Sequence, residues 1–298
     1  MYFATYILNG QEKIGVLNYG KTRIVDLSKL DVPDSPGTML DFITSCNDHV
    51  IATIKEHLSD ESFIKENSTD LAAVTLLAPI PELQRNVICL GLNYREHIQE
   101  VTSIIKKDLQ EPEAPIYFGK MATRAIGHNG EILSHPEVTK ELDYEVELAV
   151  IIGKDGTNIP REKAEEHIFG YSVFNDITAR DLQRTHKQWI RGKSLDTFTV
   201  MGPHIVHKSE IPFPVELDIS CKVNGELRQW SNTRHFIFDI PYIISDLSRG
   251  FTLRAGDVIA TGTPKGVGMG FDPPRYLKSG DIVECSIEKI GTLVNRIK

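Results

Sequence analysis

Apolar and polar positions change period along the chain, and each change marks an element. Residues 1 to about 30 alternate apolar with polar and break at Asn9-Gly10 and Tyr19-Gly20, which predicts short antiparallel strands. From Thr38 to about Ile64 the spacing turns helical: Met39, Leu40, Phe42 and Ile43, then Val50, Ile51, Ile54 and Leu58. Pro79-Ile80-Pro81 punctuates the chain and marks a boundary. Residues 86–91 read as a short buried strand. Asn93 follows as a helix N-cap, with Glu96 three residues on to complete a capping box. From Ile116 to Ser220 most apolar runs are strand-like. Asp239-Ile-Pro241 opens a helix that runs through Leu247 and stops at Gly250. Strands at 258–261, 282–287 and 292–296 close the chain. The pattern predicts an α+β protein with a small N-terminal α+β domain, residues 1–80, and a larger β-rich domain, residues 85–298.

One strand breaks the ordinary pattern. In Leu142-Asp-Tyr-Glu-Val-Glu-Leu-Ala-Val-Ile-Ile-Gly153, alternation sends Asp143, Glu145 and Glu147 to one side. Leu142, Tyr144, Val146, Leu148, Val150 and Ile152 then face a core. Like charges crowded on one face are costly to bury unless something positive neutralises them. Gly170-Tyr-Ser-Val-Phe-Asn-Asp176 is a second apolar strand that ends in an acid, and a neighbouring position brings Asp176 opposite Glu145 and Glu147. Three carboxylates without histidine or cysteine favour Mg²⁺ or Mn²⁺ over zinc or copper. An edge strand with one wet face would carry the same acids. Ala149 and Ile151 argue against it, because that face turns apolar directly after Glu147.

Other candidate groups are less specific on spacing alone. His97 and Glu100 stand at i and i+3 on one helical face, where a carboxylate can fix the imidazole tautomer and raise its basicity. Such a pair is more often a solvated surface pair. Gly192-Lys193-Ser194 lacks the upstream glycine of a phosphate-binding loop, since position 187 is lysine. Lys193 and Lys120 remain candidate cations for a substrate carboxylate. Thr261-Gly-Thr-Pro-Lys-Gly-Val-Gly-Met-Gly270 lacks dinucleotide spacing, but it can bring backbone N–H groups and the Thr263 hydroxyl to an anion.

Composition narrows the classes. The chain has 298 residues, 41% hydrophobic and 25% charged, which is the range of a soluble globular protein. No apolar run approaches a membrane span. The N-terminal residues lack a basic region and a small-residue cleavage site. Cys46, Cys89, Cys221 and Cys285 are scattered, as befits reduced thiols, so the expected compartment is cytoplasmic. Net charge is −8 and no basic run exceeds two residues, as at Lys106-Lys107, so nucleic acid and membrane are excluded as partners.

Five stretches in order resemble the fumarylacetoacetate hydrolase superfamily. They are Gly91-Leu-Asn-Tyr-Arg-Glu-His97, the acidic strand 142–153, Phe174-Asn-Asp-Ile-Thr-Ala-Arg-Asp-Leu-Gln183, Gly192-Lys-Ser-Leu-Asp-Thr-Phe198 with Met201-Gly-Pro203, and Thr261-Gly-Thr-Pro264. The resemblance covers about residues 85 to 298. The first 80 residues look like the extension of the longer bacterial relatives. It implies a mixed β-sandwich roll, a homodimer, and Mg²⁺ or Mn²⁺ held by Glu145, Glu147 and Asp176. It implies a lid dyad of His97 and Glu100 as in the acylpyruvase-like branch, with Lys193 as a third catalytic group. Arg95, Lys120, Gln183 and Thr263 become substrate-binding candidates. Relatives follow the lysine equivalent to Lys120 with Ser or Pro; here Met121-Ala-Thr-Arg124 follows, which leaves that pocket wall open. The function this implies is divalent-metal-dependent C–C bond cleavage of a small 2-oxo acid, as an oxaloacetate decarboxylase or acylpyruvate hydrolase. The alternatives are an isomerase or hydratase of 2-hydroxy-diene dicarboxylic acids, and a non-catalytic 2-oxo acid binding protein.

Overall fold

A computed structural model describes residues 1–32, 36–106, 110–122 and 124–298. Lys107 and Thr123, named above, lie outside the described residues. The N-terminal part has strands β1 (Tyr2–Leu8), β2 (Gln11–Leu17) and β3 (Arg23–Asp26), then helices α1 (Met39–Ser45), α2 (Asp48–Ser59) and α3 (Glu61–Asn67), then β4 (Ser68–Asp70) and β5 (Thr75–Leu76). Thr38 caps α1 by accepting from the Asp41 N–H, and Asn47 caps α2 from the first-turn amides of His49 and Val50. These helices bury Met39, Phe42, Ile43, Val50, Ile51, Ile54 and Leu58, the set that the helical spacing singles out, apart from half-buried Leu40.

The remainder continues with β6 (Val87–Gly91), α4 (Arg95–Ile105), β7 (Ile116–Lys120), β8 (Glu131–Ile132), β9 (Leu142–Asp143), β10 (Val146–Ile152), β11 (Ile168–Asp176) and β12 (Thr178–Ala179). Helices α5 (Arg180–Thr185) and α6 (Ile190–Lys193) lead to β13 (Thr199–His207), β14 (Asp218–Val223) and β15 (Glu226–Asn232). The chain ends with α7 (Ile240–Leu247), β16 (Val258–Ala260), β17 (Ile282–Ile287) and β18 (Gly291–Ile297). Asp239 accepts from the Tyr242 N–H at the start of α7, with proline in the first turn.

Among the described residues the main sheet runs β4-β3-β2-β1-β13-β11-β10-β16-β6-β7, with β5 added to β1. The pairing of β1 with β13 carries the N-terminal strands into the same sheet as β10 and β11. The boundary near residue 80 therefore does not interrupt the sheet. A second sheet runs β15-β14-β17-β18-β8, and β12 pairs with β9 alone. The fold is thus α+β and strand-rich.

Strand β10 is buried on both sides. Val146, Leu148, Val150 and Ile152 join a core shared with β14, β17 and β18 of the second sheet. Ala149 and Ile151 join a core closed by Phe42, Ile43, Ile51 and Ile54 of α1 and α2. That arrangement gives Glu147 an interior position rather than a wet edge. Among the described residues no helix is long and apolar enough to cross a membrane.

Candidate metal centre and active site

Strand register assembles the acids. Val146 pairs with Asn175 and Glu147 with Phe174, so Asp176 at the end of β11 lies beside Glu145. The Asp176 N–H donates to the Glu145 carbonyl at 2.9 Å, and the Glu145 N–H donates to Asn175 Oδ1 at 3.0 Å. One carboxylate oxygen from each of Glu145, Glu147 and Asp176 lies within 4.8 Å of the others, all three residues being buried. Glu147 also accepts from the Gly262 N–H at 2.8 Å.

Asp143 keeps the face that alternation gives it, since one Arg180 guanidinium bonds both Asp143 and Glu145 while Leu142, Tyr144 and Val146 share a core, although the strand is interrupted at Tyr144 and Glu145. Asp143 takes a salt bridge from Arg180 Nε at 2.8 Å and accepts the Gly268 and Met269 amides at 2.6 and 3.0 Å. It anchors the glycine loop instead of joining the triad.

Three cations balance the acids. Lys193 Nζ reaches Glu145 at 2.6 Å and Asp176 at 2.8 Å. Arg180 Nη1 reaches Glu145 at 2.6 Å. Lys120 Nζ donates to Asp176 at 2.5 Å and to the Ile177 carbonyl at 2.8 Å. Burial opposes ionisation of Glu145, but the Lys193 and Arg180 charges outweigh it and hold its carboxyl down at about 2. Glu147 goes the other way: burial, then the neighbouring Asp176 and Glu145 charges, push it well above the usual carboxylate range. Burial lowers Lys120, with Asp176 offsetting part of the effect. Four buried carboxylates, Asp143, Glu145, Glu147 and Asp176, face three buried cations, Lys120, Arg180 and Lys193. With all four ionised one negative charge would be left over, and Glu147 is where burial and its neighbours most oppose that charge. An all-oxygen donor set with surplus charge fits a hard divalent cation.

The other wall is α4. His97 Nδ1 bonds Glu100 Oε2 at 2.9 Å, and Glu100 Oε1 accepts the Gly266 N–H at 2.8 Å. A Cβ on Gly270 would collide with the Glu100 carboxylate, so glycine there is what lets the loop close on the helix. Asn93 does not cap α4, whose N-cap is Tyr94 without a side-chain bond. Asn93 Nδ2 instead donates to the Phe238 and Thr261 carbonyls at 3.1 and 2.9 Å, tying three segments together. Glu96 accordingly closes no capping box; its Oε2 lies 3.8 Å from Lys265.

A cavity of about 440 Å³ joins the two walls, lined by His97, Glu145, Glu147, Arg180, Gln183, Lys193 and Thr263 among others. Gln183 Oε1 accepts from Arg180 at 3.1 Å. Thr263 lends its hydroxyl to the Val146 carbonyl at 2.9 Å and accepts from Gln229 at 2.8 Å. Lys120 is wholly buried behind Asp176 and does not line the cavity. Arg95 is also absent from the lining: it is exposed and paired with Glu111 at 2.7 Å. Its position at the first turn of α4 turns it outward while His97 turns in. Arg180 was not singled out in the sequence, although it lies within a quoted stretch. It is 3% exposed, lines the cavity, and its Nη2 has no partner among the described residues.

Residues 86–298 match the family model described as fumarylacetoacetate (FAA) hydrolase C-terminal. The chain belongs to the fumarylacetoacetate hydrolase family. The family model starts one residue before β6 and so takes in both walls of the cavity. Among its family relatives, the oxaloacetate tautomerase YisK of Bacillus subtilis is 45% identical over 309 aligned positions, covering 100% of each chain. The structure of a fumarylacetoacetate hydrolase from the psychrophile Exiguobacterium antarcticum is 39% identical, with TM-score 0.82, covering 100% of this chain and 99% of that one. A maleylpyruvate hydrolase from Sphingobium sp. SYK-6, solved in complex with manganese(II) and pyruvate, is 27% identical with TM-score 0.78, covering 100% and 98%.

Proposed function

We propose that this protein is a divalent-metal-dependent oxaloacetate tautomerase, which moves a proton between C3 and the 2-oxo oxygen. The observation that carries the reading is the placement of a carboxylate-backed imidazole, His97 with Glu100, in the same cavity as the acid triad. The name of the 45% identical relative supports the substrate. Glu145, Glu147 and Asp176 would hold Mg²⁺ or Mn²⁺, as the manganese complex of the related hydrolase favours. When bound, such an ion would supply positive charge to offset the negative charge that develops on the 2-oxo oxygen.

The chain's own groups divide the remaining work. Glu100 holds the Nδ1 side of His97, so Nε2 is the free basic nitrogen. From the α4 wall it takes the C3 proton and, as imidazolium, gives a proton to the 2-oxo oxygen, directly or through water; ketonisation runs the same two transfers in reverse. Arg180 Nη2 is an unspent donor for a substrate carboxylate. Lys193 bridges Glu145 and Asp176 and holds their carboxylates side by side. With all four acids ionised around a divalent ion, the three cations and the ion would leave one net positive charge, which suits a dianionic substrate.

C–C bond cleavage is the second reading, and one observation favours it: the same His97–Glu100 pair can activate water. Incubation of the Mg²⁺-loaded protein with oxaloacetate in D₂O separates the two. Tautomerisation accelerates decay of the enol absorbance and deuterium entry at C3 without pyruvate. Pyruvate appearing at the rate of enol loss would replace the first reading with the second. No acceleration of either would remove both.

A further inference from the structure

The cavity is much larger than oxaloacetate needs, and much of its wall away from the acids, here called the outer half, is apolar. A cavity of about 150 Å³ holds benzene, and oxaloacetate exceeds benzene by only about three non-hydrogen atoms. Here about 440 Å³ is open. Apart from the site's charged groups the lining includes Val101, Ile104, Phe118, Trp189, Met269 and Pro274, with Arg184, Lys187 and Tyr276 as its further polar members. Trp189 packs edge-on to Phe118 with ring centroids 5.2 Å apart. The indole sits there because position 91 is glycine: a Cβ on Gly91 would run into its six-membered ring. Ile104 is 37% exposed at the same wall, an apolar side chain left without cover.

We infer that this outer half is an apolar subsite, walled by Trp189, that takes the hydrocarbon tail of a longer 2-oxo acid. The inference rests on the reading of the inner half as a 2-oxo acid site. The 2-oxo acid end meets the triad and Arg180, and the tail extends toward Trp189, Met269 and Ile104. Burying each methylene there removes it from water, and the rigid indole and proline wall loses little freedom on contact. A short dicarboxylate leaves this space to water. Trp189 therefore sets chain-length preference and takes no part in the proton transfer.

The test is a homologous series, 2-oxobutanoate to 2-oxooctanoate, bound to the Mg²⁺-loaded protein. The chain has two tryptophans, so a Trp230→Phe background reports Trp189 emission alone. Dissociation constants are read from that emission and, independently, by calorimetry. The expected result is about fourfold tighter binding for each added methylene. Trp189→Ala should flatten the series while leaving oxaloacetate binding in place, and Trp189→Phe should restore most of the slope. A flat series in the unsubstituted protein overturns the inference, as does an unchanged slope in Trp189→Ala. Should the slope appear without oxaloacetate turnover, the subsite stands and the tautomerase reading fails. Turnover with a flat series has the opposite meaning.

Discussion

The triad wall and the α4 wall hold their charged groups by different means. Glu145, Glu147 and Asp176 are fixed by strand register, by backbone amides and by Lys120, Arg180 and Lys193, all inside two hydrophobic cores. His97 and Glu100 ride on a helix whose side-chain link to the glycine loop is the Glu100–Gly266 bond, with Glu96 and Lys265 at 3.8 Å beside it. The first wall is a charge network in which each member is needed by its neighbours. The second is a reactive pair held mainly by itself. Damage to the triad wall should therefore appear in metal affinity and stability together, and damage to the α4 wall in rate alone.

Glu145→Gln should have the largest effect. It removes one ligand and leaves Lys193 and Arg180 short of a partner. Loss of one partner of a buried ion pair costs about 3–5 kcal/mol of stability. Mn²⁺ affinity should fall by more than the roughly 10–100-fold typical of an outer-shell partner. Metal titration followed by paramagnetic resonance, with denaturant unfolding beside it, reads both. Undiminished Mn²⁺ affinity would contradict its place as a ligand.

His97→Ala comes next. Enolisation should slow by about 10²–10⁴-fold, the usual contribution of a positioned general base. Mn²⁺ affinity and unfolding midpoint should stay near their starting values. A parallel loss of metal affinity would erase the distinction between the walls.

The two walls were also unequally legible in the sequence. The alternation from Val146 to Ile152 announced a buried strand, and Glu147 with Asp176 followed from it because period-two geometry is local. Glu145 was named by the same alternation, yet its place comes from the backbone link to Asp176 after a break in the strand. Asp143 was placed on the correct face, but its partner Arg180 lies 37 residues on, beyond any local rule. The partners of Asn93 are similarly remote, at Phe238 and Thr261, so the capping rule had nothing to warn against it. For Lys120 the sequence showed a cation but not its burial behind Asp176. The strand alternation and the meeting of Asp176 with Glu145 and Glu147 were readable, and the remote side-chain partners of Asp143, Asn93 and Lys120 were not.

Acid should sharpen the comparison through the sheet. His204 and His207 on β13 are both pushed down to about 4, first by burial, with the backbone bond of His204 to Ile290 opposing it and nearby positive charge at His207 adding to it. Their folded values lie below the unfolded value near 6.5, so the unfolded chain binds the extra protons. Stability is then fully present above about pH 6.5 and is lost as pH falls toward 4. Each could remove up to about 3 kcal/mol over that range, at 1.36 kcal/mol for each pH unit. Unfolding free energy measured against pH should fall through this window. In a His204→Gln variant the slope should be shallower; an equal slope would place the acid sensitivity elsewhere.

The smallest effect is expected at Arg95→Ala, on the outer side of the α4 wall. Arg95 sits two residues before His97 in the same helix, so sequence distance alone would rank it among the active groups. Its guanidinium instead pairs with Glu111 in solvent, with 62% of the side chain exposed. Exposed pairs of this kind are worth about 0–1 kcal/mol. The variant should keep its Mn²⁺ affinity, its unfolding midpoint and its oxaloacetate kinetics, including the Michaelis constant. A tenfold rise in that constant would mean that α4 turns Arg95 toward the cavity when substrate binds. The helix would then be a moving wall with two recognition faces, and the contrast with the fixed triad would become one of mobility as well as of charge.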